Sequence, residues 1–324
     1  MIITRAPLRI TLGGGGTDLP SYYRRFGGEL VSAGIDKYIY IALHRMFQPG
    51  FVIKYSSFER VDRAESIKHP IFREALQGRK IEPQVEMVSF ADIPDGTGLG
   101  SSGAFTVALL KALSCYRREN KLTRALAEEA CDIEINRLLQ PIGKQDQFAC
   151  AYGGITHFKF NPDESVEVSP LNISHESLER LEDNLLLFFT GFSRSASEVL
   201  SDQKTKTETN DGGMIENLHF TKKLGQDSKT ALEEGDLRKF AEFMNVHWEN
   251  KKRRTKGMSN GAIDRAYQVA RDNGAVGGKL IGAGAGGFLL VYTEDHARLR
   301  KAMQKEQLQE VRFRFDFEGV RLIS

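Results

Sequence analysis

A glycine-rich loop that runs straight into an apolar helix constrains this chain most. Residues 93–104 read IPDGTGLGSSGA, and an apolar helical pattern follows. Glycines allow tight turns and close approach of the backbone to a ligand, and the first amides of a helix lack partners within it. Those N–H groups and the positive end of the helix dipole favour phosphate. The segment therefore predicts an anion site, and an ordinary glycine-rich loop with a serine-capped helix is the alternative.

The loop does not follow the Walker pattern, because it lacks the Gly-Lys-Ser/Thr ending. The serines at the helix start can cap the helix, and one hydroxyl can instead reach a magnesium ion that bridges phosphate oxygens. The predicted phosphate-binding residues are Gly96, Gly98, Leu99, Gly100, Ser101, Ser102 and Gly103.

The composition predicts a protein that folds along its whole length. The 324 residues allow one or two domains, and 40% hydrophobic with 27% charged residues is typical of a globular chain. A net charge of +2 gives no overall attraction to nucleic acid or to a membrane, and we expect neither as a partner. The start does not resemble a signal peptide and no apolar run approaches about 18 residues, so we expect a cytoplasmic protein.

Strand and helix patterns are mixed without a repeat, which predicts the α+β class. Short β-rich runs are spread over residues 8–89, a helix is expected over 124–139, and a long helical region covers 195–272. Two further strands are predicted at 311–315 and 320–323.

A polar segment at residues 161–177 contains prolines and several acids. Such a composition is typical of the crossing between two domains. We therefore predict an N-terminal domain at residues 1–175 and a C-terminal domain at residues 176–324.

Two carboxylates are candidates for chemistry. Asp146 follows the helix break at Pro141. It can act as a general base that takes a proton from a hydroxyl attacking phosphorus, or it is a plain helix N-terminal aspartate. Glu134 lies in the apolar helix before that break. Helical periodicity places it toward solvent, whereas a carboxylate facing the phosphate loop would complete a magnesium site with Ser102.

Near the start of the chain, Arg9 precedes the run GGGGTD at residues 13–18. Its guanidinium can stabilise charge on a transferring phosphoryl group, and Asp18 can accept hydrogen bonds from sugar hydroxyls. A β-hairpin turn would explain the glycines equally well.

A second anion site is predicted at residues 191–197, where GFSRSAS follows an expected strand and opens a helix. Ser193 and Arg194 can hold a substrate phosphate there, and a capped helix with a solvated arginine is the alternative. The basic run Lys251–Lys256 is a weaker candidate for this role, since such runs are typically solvated helix faces. The glycines at 282–287 are not a dinucleotide fingerprint, because a strand-like run follows them instead of a helix.

Three glycine-rich segments together resemble, in order and spacing, the motifs of the GHMP small-molecule kinases. This family is named for galactokinase, homoserine kinase, mevalonate kinase and phosphomevalonate kinase. The segments are residues 5–18, 94–104 and 278–287. The resemblance implies an N-terminal domain like domain 2 of ribosomal protein S5 and a C-terminal ferredoxin-like domain. It also implies that ATP and the acceptor bind in the cleft between them, with Mg²⁺ as cofactor.

The resemblance also assigns roles to individual residues. Asp146 matches the catalytic aspartate, and Arg9 matches the basic residue near the transferred phosphoryl group. Ser102 and Glu134 match the magnesium ligands, which overrules the solvent-facing interpretation of Glu134. Asp18 matches the aspartate that binds the sugar. The full predicted sugar site is Asp18, Thr17, Gly15, Gly16, Gly284 and Gly286.

One branch of the family is especially similar. The runs RAPLRITLGGGGTDLP at residues 5–20 and TGFSRSAS at 190–197 resemble those of kinases that phosphorylate the anomeric hydroxyl of heptose 7-phosphates. Their product feeds nucleotide-activated heptose for surface glycans, and the phosphate already on the substrate would explain a second anion site. Gly15 and Gly16 replace the Glu-His of galactokinases, which would leave room for a sugar tail bulkier than that of galactose.

Two alternatives stay open. Fucose kinase domains share much of this pattern, and they are the rival within the family. A non-catalytic sensor of sugar or nucleotide that keeps the kinase fold is the rival from another class, because a fold does not fix a function. In either case the expected ligands are ATP and a sugar or sugar phosphate. The sequence leaves the oligomeric state open, a homodimer included.

Overall fold

The computed structural model describes residues 1–191, 196–255, 257–284 and 286–324, with the side chains of 196–198 excepted. Ser193 and Arg194, which the sequence predicts to bind a substrate phosphate, lie outside the described residues. Across the described ranges, no helix combines the length and the apolar character that a membrane span requires.

Strands and helices follow one another along the whole chain. The strands are β1 (Ile2–Gly14), β2 (Gly28–Arg45), β3 (Phe51–Lys54), β4 (Phe58–Val61), β5 (Val85–Ala91), β6 (Ile155–Phe160), β7 (Val166–Pro170), β8 (Leu185–Phe189), β9 (Ala275–Leu280), β10 (Phe288–Thr293), β11 (Gln309–Glu310) and β12 (Arg321–Leu322). The α-helices are α1 (Pro20–Phe26), α2 (Pro70–Gly78), α3 (Ser101–Tyr116), α4 (Thr123–Cys131), α5 (Gln145–Tyr152), α6 (His175–Asn184), α7 (Ala196–Glu208), α8 (Gly212–Glu233), α9 (Leu237–Lys252), α10 (Gly261–Asp272) and α11 (His296–Lys305).

The larger sheet is built around two long antiparallel strands, β1 and β2. Its strand order is β12-β1-β2-β5-β3-β4, and in addition β6 pairs with β2 and β7 with β6. β2 pairs with β6 through its first half and with β5 through its second half. Leu8 and Ile10 on β1 and Leu30 and Ile41 on β2 are fully buried. The centre of this sheet therefore forms the main core.

Helix α3 is buried on nearly all sides, as its apolar sequence implies. It packs against β1 and β2, and α4 and α5 lie beside it. The helix therefore carries the end of the glycine-rich loop into the core and fixes the position of its own first turn.

The smaller sheet is antiparallel and has the strand order β11-β8-β10-β9. Helices α9 and α10 pack on β9, and α8 contacts both α9 and the central strands of the larger sheet. One continuous apolar cluster contains Ile10 of the larger sheet and Leu290 of the smaller one. A second cluster, which includes Trp248 and Leu299, lies within the smaller sheet and its helices.

The predicted α+β class is confirmed, although several local predictions are wrong. The helix expected over residues 124–139 is α-helical only to Cys131, and a π-helical segment follows at Asp132–Arg137. In the described residues the segment 311–315 is not a strand, and Phe315 makes only an isolated bridge to Ile35. Aromatic and arginine residues alternate there, which imitates a strand. Only the end of the segment reaches β2, where the Asp36 N–H donates to the Arg314 carbonyl and the Asp316 N–H donates to the Gly34 carbonyl, each across 2.9 Å.

Candidate active site

A cavity of about 430 Å³ opens where the two sheets meet. Its walls come from β1 and the glycine run after it, from the loop before α3, from the start of α5, from α9 and from the loop after β9. The volume falls in the usual range for small-molecule pockets, roughly 300–1,000 Å³.

The second and third glycine-rich segments contact each other through their backbones. A Cβ atom on Gly282 would lie 2.5 Å from the Cα atom of Gly98, so a side chain there would force the loops apart. The N–H of Arg9 donates to the Leu99 carbonyl across 2.9 Å, which attaches β1 to the same loop. The three segments of the sequence motif therefore form one continuous wall.

Helix α3 begins at Ser101, directly after Gly100, which has a left-handed φ of 79°. Within the described part of the chain, no side chain caps this end, and the buried Ser101 hydroxyl has no hydrogen-bond partner. The serine-capped alternative is therefore wrong. The free amides of the first turn and the positive end of the helix dipole are left for an anion.

Arg9 and Asp146 meet beside this first turn. Arg9 Nε donates to Asp146 Oδ1 across 2.8 Å, and Arg9 Nη1 donates to the Gly98 carbonyl across 2.6 Å. The Arg9 side chain is 6% exposed, whereas that of Asp146 is 32% exposed. Gly103 permits the approach of α5 to α3, since a Cβ atom there would lie 2.7 Å from the Asp146 Cβ. A buried guanidinium thus holds an accessible carboxylate at the cavity.

Glu134 is fully buried beneath the start of α3. The Ser102 hydroxyl donates to its carboxylate, and Gln147 Nε2 donates to it across 3.0 Å. Burial raises the pKa of Glu134 to about 7. Periodicity alone, which places Glu134 toward solvent, is wrong here, because the π-helical segment that carries Glu134 breaks the α-helical spacing.

The structure places most of the predicted sugar-binding residues, but not all of them, in the cavity wall. Asp18, Gly15, Gly16, Gly284 and Gly286 line the cavity. Asp18 accepts the N–H groups of Gly16 across 3.0 Å and of the first α5 residue across 3.2 Å. Burial and the negative charge of nearby Asp146 raise the pKa of Asp18.

Thr17 does not belong with these sugar-site residues. It is fully buried, and its hydroxyl donates to the Glu29 carbonyl across 2.9 Å while accepting the Glu29 N–H across 3.1 Å. Thr17 is therefore not among the described residues that line the cavity, because both hydrogen bonds of its hydroxyl tie the glycine run to β2.

The cavity wall also contains a group of buried basic residues, which the sequence indicated only through the weaker candidate run Lys251–Lys256. Lys251, Arg254 and Lys279 are each at most 7% exposed and line the cavity together with His247. The prediction of a solvated basic face is therefore wrong for Lys251 and Arg254. The spacing of residues in α9 indicates that Lys251 is buried, because His247 and Lys251 continue the apolar face of this helix at helical spacing. The buried members of that face include Phe240, Met244, His247, Trp248 and Lys251.

Burial sets the electrostatics of this basic group. It lowers the pKa of Lys279 to about 7 and that of Arg254 to about 10, and it holds the pKa of Lys251 well below its ordinary value. Repulsion from neighbouring guanidinium groups acts in the same direction on both lysines. The cavity wall therefore contains cationic groups that are costly to keep charged without an anion.

Comparison with known proteins identifies the class to which this fold and site belong. Residues 66–154 match the family model of the GHMP kinases N terminal domain, and residues 228–309 match that of the GHMP kinases C terminal region. D-glycero-alpha-D-manno-heptose 7-phosphate kinase of Campylobacter jejuni is 31% identical over 337 residues, covering 99% of this chain and 98% of the relative. The chain belongs to the GHMP kinase family, with its two-domain fold.

Two further comparisons show which members of the family this chain is similar to. The crystal structure of a D-glycero-D-manno-heptose 1-phosphate kinase from Bacteroides thetaiotaomicron superposes with a TM-score of 0.81 at 25% identity, over 100% of this chain and 99% of that one. The L-fucokinase/L-fucose-1-P guanylyltransferase of Bacteroides fragilis is 26% identical over 92% of this chain and 35% of its own length. The protein is an ATP-dependent sugar kinase, a phosphotransferase similar to the heptose phosphate kinases.

Proposed function

We propose that this kinase transfers the γ-phosphoryl group of ATP to the anomeric hydroxyl of D-glycero-D-manno-heptose 7-phosphate, giving the 1,7-bisphosphate. The observation that carries the proposal is the Arg9–Asp146 pair at the uncapped start of α3. It puts an accessible carboxylate, a fixed positive charge and free amide donors in one cavity. Similarity to a heptose 7-phosphate kinase along nearly the whole chain supports this choice of sugar.

Each part of the site has a role in in-line transfer. The amides of residues 96–103 bind the ATP phosphates. The Asp146 carboxylate orients the sugar O1 hydroxyl and accepts its proton as the O1–phosphorus bond forms. The bond from the γ-phosphorus to the bridging oxygen breaks, and ADP leaves. Arg9 offsets the negative charge that develops on the phosphoryl oxygens.

The residues around Glu134 fit a magnesium ion. Mg²⁺ in kinase sites is held by one or two protein oxygens together with substrate phosphates, and Ser102 and Glu134 supply such a hydroxyl and carboxylate in contact. Among the described residues the buried Gln147 Oε1 beside them has no hydrogen-bond partner. When bound, the ion neutralises phosphate charge. We therefore assign Ser102 and Glu134 as its protein ligands.

Steady-state ADP release tests the proposal. The acceptors are D-glycero-D-manno-heptose 7-phosphate, the same heptose without phosphate, L-fucose, galactose and mevalonate, each with Mg-ATP. We expect the highest kcat/KM with the heptose phosphate. A preference for L-fucose would move the protein to the fucose kinase branch and keep the catalytic residues. Binding of ATP and sugar without ADP release would favour a sensor and overturn the proposal.

A further inference from the structure

In the described residues no carboxylate lies within ion-pair distance of the buried basic group, although the charge of Asp18 favours the charged form of Arg254. Lys251 Nζ donates to the carbonyls of Leu280 and Gly282, and Lys279 Nζ donates to the Leu12 carbonyl across 2.8 Å. Neither lysine, nor Arg254, forms an ion pair with a described carboxylate, whereas Arg9 in the same cavity is paired with Asp146. Buried charges are normally paired, and an unpaired one is costly. Several such cations on one wall indicate an anionic ligand.

Arg254 lies on the sugar side of the cavity. Its guanidinium donates to Asn217 Oδ1 across 3.0 Å and to Thr221 Oγ1 across 2.9 Å, and Nη1 lies 3.4 Å from the Gly15 carbonyl. Asn217 and Thr221, both on α8, thus hold the planar group in one orientation. A guanidinium fixed in this way is well suited to bind a phosphate through two parallel hydrogen bonds.

The glycine at position 16 allows this approach. A Cβ atom on Gly16 would lie 2.5 Å from Arg254 Nη1, and the residue has a positive φ of 89°. The space that a side chain at position 16 would occupy therefore contains the Arg254 guanidinium. Gly16 also donates its N–H to Asp18, so the same short loop contacts both Arg254 and the predicted sugar-binding carboxylate.

We propose that Arg254, supported by Lys251 and Lys279, binds the phosphate ester that the acceptor sugar already carries. The proposal rests on the proposed function and adds a recognition site for a phosphorylated acceptor. The ATP phosphates are bound elsewhere in the cavity, by residues 96–103. Lys251 lies between the two regions, because its partner Gly282 contacts Gly98. Arg254 contacts the loop that contains Gly15 and Gly16, on the side of the cavity where we expect the sugar. Replacing Arg254 should therefore weaken binding of the sugar phosphate and not of ATP.

Arg254→Gln in the full chain tests the assignment, with Arg253→Gln as the matched control because Arg253 is the exposed neighbour. Loss of charge-assisted hydrogen bonds predicts that R254Q raises the KM for heptose 7-phosphate roughly 10- to 100-fold. We expect the ATP KM to stay within about twofold, and R253Q to match wild type. Equal effects of R254Q on both substrates, or an unchanged KM for the sugar phosphate, would overturn the assignment.

A second variant covers the case in which R254Q does not fold. Lys279→Met removes the ammonium group and its hydrogen bond to the Leu12 carbonyl while keeping an unbranched side chain of similar length. It should raise the same KM selectively, and an unchanged KM in folded K279M would overturn the shared role of the group.

Binding without turnover separates this proposal from the proposed function. Inorganic phosphate, titrated by calorimetry into wild type and R254Q with residues 96–103 occupied by a saturating non-hydrolysable ATP analogue, reports on the site even if heptose 7-phosphate proves not to be a substrate. Phosphate that binds wild type and binds R254Q at least about tenfold more weakly would support the site. Equal binding to both proteins, or no binding to wild type, would overturn it.

Discussion

Arg9 and Asp146 are 137 positions apart in the chain, yet Arg9 Nε donates to Asp146 Oδ1 across 2.8 Å. The guanidinium is nearly buried and also donates to the Gly98 carbonyl. The Arg9 side chain therefore connects β1 to the loop at residues 96–100 and to α5. This contact sets the direction of the carboxylate that we assign as the base.

Replacing Asp146 by asparagine keeps the shape of the side chain but removes the proton acceptor. We expect kcat to fall about 10²- to 10⁴-fold while the Kd for Mg-ATP changes little, because the nucleotide contacts other residues. Single-turnover kinetics and calorimetry measure the two quantities. Asp183→Asn, at an exposed position of α6, is the control. A folded D146N protein with wild-type turnover would remove Asp146 from the mechanism.

Arg9→Met tests whether the guanidinium acts partly through Asp146. The single variant should lower kcat about 10²- to 10³-fold, since it removes both charge stabilisation and the contact that orients the carboxylate. In the double variant with D146N, the losses should be less than multiplicative, as expected for residues in direct contact. Independent, fully multiplicative losses would show that the contact has no catalytic consequence.

Glu134→Gln tests the assigned magnesium site. It removes the negative charge but preserves the size of the side chain and its ability to form hydrogen bonds. We expect the Mg²⁺ concentration for half-maximal activity to rise roughly 10- to 100-fold, while the KM for the sugar at saturating Mg²⁺ changes little. Titration of activity with Mg²⁺ at constant ATP measures this. A Mg²⁺ dependence identical to that of wild type would exclude Glu134 as a ligand.

Burial of Lys279 makes the stability of the folded protein depend on pH. The pKa of Lys279 is lowered to about 7 in the folded protein, against 10.5 for an unperturbed lysine. The unfolded chain therefore binds more protons between these two values, so the free energy of unfolding rises with pH across that window. Lys279→Met removes this contribution. The stability advantage of K279M should thus be largest near pH 7 and should shrink by at most about 1.4 kcal/mol per pH unit.

Urea unfolding of ligand-free wild type and K279M at a series of pH values above 7 measures this difference. Titrating groups remote from Lys279 are common to both proteins and cancel in the comparison. Lys251 and His247 contribute to the difference, because the charge of Lys279 lowers their pKa values. A difference in stability that does not change with pH would show that Lys279 keeps its charge in the folded protein.

The glycine-rich motifs and the residues next to them could be predicted from sequence, because each motif is local. Residues 96–103 needed only the spacing of glycines and the helix that follows. Arg9 and Asp146 were found because each lies next to such a local feature. Their contact across the fold depends on the pairing of β1 with β2 and on the packing of α3, and no single segment contains that information.

The sequence indicates the burial of the basic group only through the spacing of buried positions in α9, because burial of a charged residue is decided by its ligand and its neighbours. Lys251 and Arg254 lie in a run of basic residues that resembles a solvated helix end. Their burial becomes visible only when α8 and α9 pack together and the glycine run after β1 reaches Arg254. Thr17 shows the reverse case, since this hydroxyl inside a motif is hydrogen-bonded to the backbone of β2 and does not face the cavity.

The position of the new phosphate decides whether this protein acts as proposed. Phosphorus-31 NMR of the product from D-glycero-D-manno-heptose 7-phosphate and Mg-ATP should show a second sugar phosphate resonance, coupled to the anomeric proton, beside that of the original 7-phosphate. A new phosphate on any other carbon, or ADP and free phosphate without a new sugar phosphate, would contradict transfer to the anomeric hydroxyl.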